Sequence, residues 1–393
     1  MRTSSFLFVT VLGLAFVGCS DDGESGDTGP VADARRQLLS VFASDVLSPR
    51  LAEFATDAGA LESAAAAWAA TPEDATALAN AREAFGTVMD TWQELEVLQV
   101  GPAGQPGDIE GGQGLRDEIY SWPTANACRV DQETIEDAAA TPAGLRPELV
   151  NVRGLDALER LLFAEDETNA CPSSSPLNLD GTWDDVAETP GAITARRATY
   201  AASAATLVRE RAETLRDAWS GGFATELATA GAGSTVYGSS NDALNSVSDA
   251  LFYLEGVSLN MKLAEPLGLS GCEDAEVCPE ERESLFANRS IANFQANYAT
   301  YVDAYRGGSG YGFDDLLREV GATDLADRTD AAIAAATPAV EALEGTLPEI
   351  LAGDTTELVR VNDLVTDVVR LQRTELVSVF NLRLPQAVAA DND

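Results

Sequence analysis

The sequence contains no histidine, and Lys262 is its only lysine. Without an imidazole there can be no Ser-His-Asp or Cys-His nucleophile system and no His-ligated zinc site. A catalytic lysine is restricted to one position. Positive charge as a whole is scarce: 25 Lys and Arg face 64 Asp and Glu, a formal net charge of −39. Such a chain repels phosphate and gains nothing from counterion release, which excludes nucleic acid as a partner. The 393 residues, 45% hydrophobic and 23% charged, suit a folded protein with two or three cores.

Long apolar runs are absent apart from Phe6 to Val17, which follows Arg2 and precedes Gly18-Cys19 and an acidic, glycine-containing stretch. That run is shorter than the roughly 20 residues a membrane span needs, and its flanks are those of a signal peptide. Phe16-Val17-Gly18-Cys19 resembles a bacterial lipobox, with Phe16 in place of the usual Leu, so Cys19 is expected to be lipidated and to become the mature N-terminus. Ser20 after it points to the periplasmic face of the outer membrane under the sorting pattern of enteric bacteria. Residues 20–33 read as a flexible acidic tether. An ordinary cleaved signal with an incidental cysteine is the alternative.

Four cysteines remain, Cys128, Cys171, Cys272 and Cys278, an even number suited to an oxidising compartment. The pairings Cys128 with Cys171 and Cys272 with Cys278 keep each bridge within one half of the chain. Four-thiolate zinc binding lacks the C-x-x-C spacing it usually shows.

The body reads as successive helices. Thr71-Pro72-Glu73-Asp74 reads as a capped start, followed by Leu78, Phe85, Val88, Met89, Trp92 and Leu95 at helical spacing. Ser239 to Ala264 and the stretch from Asp354 repeat that pattern, while Trp68, Trp92 and Trp219 read as core. Alternating strand patterns are missing, so the expected class is all-α: two packed helical bundles, residues 34–185 and 186–393, with a polar cleft between them.

Several segments, in order, resemble the imelysin family of bacterial envelope proteins, once classed with metallopeptidases and now connected with iron uptake. They are Trp92-Gln93-Glu94-Leu95-Glu96 running into Val100-Gly101-Pro102; Arg116 through Pro123; Gly154 through Phe163; Pro266-Leu267-Gly268; and Glu283 through Ser290, continuing to Asn293-Phe294 and Asn297. The third looks like the family's G-x-H-x-x-E segment with Asp156 in place of His. The resemblance implies two helical bundles with the motif facing the cleft between them.

Asp156 and Glu159 leave one helix face, opposite the apolar stripe of Leu155, Leu158 and Leu162. Oxygen ligands alone favour a hard cation such as Ca²⁺, Mg²⁺, Mn²⁺ or ferric iron over zinc. Glu96 and Glu118, in family-like segments, are candidates to complete the metal site; Arg116 with Trp122, and Arg289 with Ser290, are candidates for cleft and ligand contacts. The plain alternative is that Asp156 and Glu159 sit in exposed ion pairs with Arg153 and Arg160, three residues before and four after Asp156.

The expected function is a non-enzymatic, lipid-anchored envelope protein that binds a metal ion, iron above all, or a small metal complex for uptake, with an envelope uptake protein as its partner. The alternatives are a helical scaffold that has lost the metal site and a metallopeptidase, which the absence of histidine disfavours.

Overall fold

The computed structural model of the chain describes residues 27–272 and 277–385. The expected signal peptide, Cys19 and residues 20–26 of the expected tether lie outside the described residues. The described residues form helices and turns, and the one β-type pairing among them is an isolated bridge between Pro106 and Ile109. No described helix is long and apolar enough to cross a membrane.

Helix α1, Pro30–Val41, starts inside the stretch expected as tether and buries Ala32, Ala34, Leu38 and Leu39. Helix α2, Ser48–Ala70, ends at Thr71. The start signal at residues 71–74 is real but displaced: Asp74 is the cap, its carboxylate accepting from the Thr76 amide at 2.8 Å, and α3 runs Ala75–Glu96. Then follow α4, Leu155–Phe163, and α5, Ala192–Ala218. Helix α6, Ser240–Leu251, is capped by Ser239 and continues into a π-helical segment, Leu254–Ala264. Helices α7 (Ser290–Arg306), α8 (Thr323–Glu341) and α9 (Thr356–Leu371) complete the frame.

Helices pack on one another across the expected border near residue 186. Helix α5 lies along α2 and α4, so it joins the first group, whereas α1 packs on α6 and joins the second. Composition explains the first change. Ala198, Ala201, Ala204, Ala205 and Ala212 on α5 and Ala55, Ala58 and Ala65 on α2 are buried, and small side chains let two helices approach closely. The two groups meet where α3 packs against α7, and one apolar cluster runs through both, including Trp68, Trp92 and Trp219 as expected. Each large side chain removed from water there contributes roughly 1.5–3 kcal/mol. Both expected disulfides are present, Cys128–Cys171 and Cys272–Cys278.

Candidate functional site

The acidic helix α4 is not half exposed. Leu155 to Leu162 are all buried, polar residues included. Gly154 precedes it because nothing larger fits: a Cβ there would lie 2.6 Å from the Ile119 carbonyl oxygen and 2.7 Å from Asp156 Oδ1. From this helix the two acids hold two different loops. Asp156 Oδ2 accepts the Ser121 hydroxyl at 2.7 Å, and its Oδ1 accepts the Ser121 amide at 3.4 Å. Glu159 Oε1 accepts the Ser284 hydroxyl at 2.7 Å and the amides of Phe286 and Ala287 at 3.0 and 2.8 Å.

Between those loops lies a cavity of about 280 Å³, with Trp122, Met261 and Phe286 among its walls and Asp156 and Glu159 at its side. Glu265, Glu280, Glu281 and Glu283 line it further, as do Arg160 and Arg282, so acids outnumber cations on its wall. The neighbouring arginines do not neutralise the two motif acids. Arg153 reaches Glu118 at 2.7 Å, and Arg160 grips Asp131 through two nitrogens at 2.8 and 3.2 Å. The exposed ion-pair reading of Asp156 and Glu159 is therefore overturned, because the arginines find partners about thirty residues away. Burial pushes both carboxyls above the usual carboxylate range, only partly offset by their hydrogen bonds. The positive end of α4 lies close to Asp156 and supplies a further modest stabilisation of its charge.

A second buried polar group lies at the meeting of α3, α7 and the π-helical segment, and it is built on the opposite principle. Lys262 Nζ lies 2.6 Å from Gln93 Oε1, 2.9 Å from Glu96 Oε2, 2.8 Å from Glu283 Oε1 and 3.1 Å from Asn297 Oδ1. Arg116 donates to the other Glu96 oxygen at 2.7 Å, so two cations balance two carboxylates. Burial alone would raise the Glu96 carboxyl, but Lys262 and Arg116 beside it hold it below the usual glutamate value.

The remaining sequence candidates scatter. Glu96 belongs to the neutralised group and Glu118 to a half-buried ion pair with Arg153 and Arg211, so neither completes a metal site with Asp156. Arg116 serves Glu96 and Asp117 rather than the cavity. Trp122 does line the cavity. Arg289 pairs with Asp90, away from it. Ser290 stands one layer behind, its hydroxyl accepting the amide of Ser284, the residue that holds Glu159.

Comparison with known proteins settles the lineage. The imelysin family model matches residues 47–374. The chain belongs to the imelysin family. An iron-regulated protein A of Synechococcus elongatus is 32% identical over 131 residues, a match that spans 33% of this chain and about a third (32%) of that relative. Among solved structures, an imelysin-like protein from Psychrobacter arcticum 273-4 superposes with a TM-score of 0.69 at 20% identity, covering 90% of this chain and 98% of that one. A candidate iron-regulated protein A precursor from Parabacteroides distasonis gives 0.68 at 15% identity, covering 90% and 96%. At these identities the two structures establish the fold alone.

In this imelysin-family chain Asp156, the acid of the G-x-D-x-x-E segment, clamps a loop. Among the described residues no three His, Cys, Asp or Glu side chains come together as a metal-holding group. The donor set at the motif is two carboxylates, each already engaged by hydroxyl and amide donors, and it does not amount to a closed metal site. Sequence reasoning missed Lys262, Gln93, Glu283, Asn293, Asn297, Tyr120, Ser121 and Ser284 as site residues. The signal for Lys262 was available: it is the single lysine of the chain, and Ser258 and Glu255 stand four and seven residues before it.

Proposed function

We propose that the cavity beside Asp156 and Glu159 is the cargo site of an envelope protein that takes up a cationic, iron-bearing ligand. The observation that carries this reading is the pair of buried carboxylates on the cavity wall with no Lys or Arg in ion-pair distance among the described residues. A buried carboxylate without an ion-pair partner is costly, and either a proton or a bound cation relieves that cost. With two protein carboxylates, the cargo keeps the rest of its coordination shell. At about 30 Å³ per water, a cavity of about 280 Å³ has room for a cation with several waters or small ligands. The iron-regulated relative supports iron as the metal, and the lipobox-like sequence before Cys19 supports anchoring at the periplasmic face of the outer membrane. The role is binding rather than peptide hydrolysis: a peptidase metal needs three protein ligands and an open position, and two clamped carboxylates do not supply them.

The test is a titration of the purified protein with Fe²⁺, Fe³⁺, Mn²⁺, Ca²⁺ and Zn²⁺, beside a variant carrying Asp156→Asn and Glu159→Gln. One equivalent of an iron ion bound by the native chain and lost in the variant supports the reading. Equal, nonstoichiometric binding by both would leave only the acidic surface responding and would favour a scaffold role.

A further inference from the structure

The neutralised group at the helix junction has a feature that charge balance alone does not require. The chain uses arginine at every basic position but one, and the exception is completely buried. Around Lys262 Nζ stand four oxygens at 2.6–3.1 Å, one more than the ammonium has protons. None of the four depends on the lysine for its orientation. Asn297 donates to the Gln93 backbone oxygen and to Gln93 Oε1, at 2.7 and 3.0 Å, and Ser258 donates to Asn297 Oδ1 at 2.8 Å. Gln93 Nε2 and the Tyr120 hydroxyl donate to Glu283 Oε1, each at 3.0 Å, and Asn293 donates to Glu283 Oε2 at 2.9 Å. Arg116 fixes Glu96. The rings of Trp122 and Tyr253 lie 5.7 and 5.4 Å from the ammonium, as cation–π partners do.

We propose that Gln93, Glu96, Glu283 and Asn297 form a preorganised cation cage of the ammonium type, and that Lys262 is its tethered occupant. Three of the four distances, 2.8, 2.9 and 3.1 Å, are those of N–H···O hydrogen bonds and are longer than the 2.3–2.6 Å of calcium–oxygen bonds. A planar guanidinium presents its donors in a wide fork and does not fit four converging oxygens, which accounts for the one lysine in an arginine-using chain. The cage also locks the cavity in place. Glu283 precedes Ser284 on the loop that holds Glu159, so the occupied cage pins that loop to α3 and α7. None of this depends on what the cavity binds.

The experiment removes the tether and offers free cations. Full-length Lys262→Ala, Lys262→Met and Lys262→Arg proteins are melted in sodium, propylammonium and tetramethylammonium chloride at equal ionic strength. In sodium chloride Lys262→Ala is expected to melt roughly 10 °C below the native protein. Propylammonium should restore at least half of that loss and tetramethylammonium, which has no N–H, none of it. Lys262→Met, which fills the tether's path, should not respond to propylammonium, and Lys262→Arg should stay destabilised. Equal melting of Lys262→Ala in all three salts, or Lys262→Arg as stable as the native protein, overturns the proposal. Should Lys262→Ala not fold, the native protein labelled with ¹⁵N-lysine decides: it has a single side-chain ammonium resonance, expected to exchange its protons slowly, and exchange as fast as that of free lysine would overturn the cage.

Discussion

Two buried polar regions adjoin each other in this protein and solve the same electrostatic problem differently. At the helix junction, Glu96 and Glu283 are matched by Lys262 and Arg116. At the cavity wall, Asp156 and Glu159 receive hydroxyl and amide hydrogen bonds but form no salt bridge among the described residues. Arg160 on the same helix and Arg153 just before it pair with Asp131 and Glu118 instead. Charge that is neutralised internally is frame.

Mutation is the most forceful way to break this comparison. Glu96→Ala takes from Lys262 and Arg116 the carboxylate they share, leaving Glu283 and Asp117 as their remaining partners, and should cost about 3–5 kcal/mol of stability in denaturant unfolding, the range for a buried pair that loses one partner. A smaller effect, about 1–3 kcal/mol, is expected for Gly154→Ala, whose Cβ would press on the Ile119 carbonyl and on Asp156 and so loosen the clamp on Ser121. Asp156→Asn with Glu159→Gln keeps acceptor oxygens for the clamped loops while removing two desolvated charges. Its stability should fall by less than about 1 kcal/mol or rise, with cargo binding lost.

Acidity sharpens the contrast because the two regions respond with opposite sign. Asp156 and Glu159 have carboxyls raised by burial, so the folded chain holds their protons more tightly than the unfolded one. Their contribution to stability grows as pH falls through the window between the ordinary value and the raised one, and it is lost as pH rises through it. Cargo competes with those protons, so binding should weaken in the same window, above the pH at which ordinary surface carboxylates titrate. Glu96 is held below its usual value of 4.5, and its contribution is present above that value and lost only as pH falls below it. Melting and binding measured together from pH 7 down to pH 4 should therefore show affinity failing before the junction does.

Much of the architecture was legible in the sequence. The helical periods, the tryptophan core, both disulfides and the imelysin resemblance all reappear in the structure. The placement of α5 was not, because the short helices between Cys171 and Gly191 look like a domain break, while the alanine face that binds α2 looks like mere helix propensity. Within the site, the motif helix and Trp122 were identified but their surroundings were not. Arg153 and Arg160 sit at ion-pair spacing from Asp156, and that local rule fails once a helix is buried on all sides and distant partners such as Glu118 and Asp131 are within reach. Glu96 and Glu118 were grouped with the motif acids by type, but type cannot say which acids already own a cation. Lys262 shows in the sequence as the single lysine, but the partners that let it be buried, Gln93, Glu96, Glu283 and Asn297, come from distant segments.

The measurement that bears most directly on the central claim is calorimetric titration of iron ions into the native protein, the Asp156→Asn plus Glu159→Gln protein and a Glu118→Gln protein, with the melting temperature of each recorded alongside. The account predicts one equivalent bound by the native and Glu118→Gln proteins and none by the double variant, whose melting temperature stays at or above the native value. Undiminished binding by a folded double variant would contradict it.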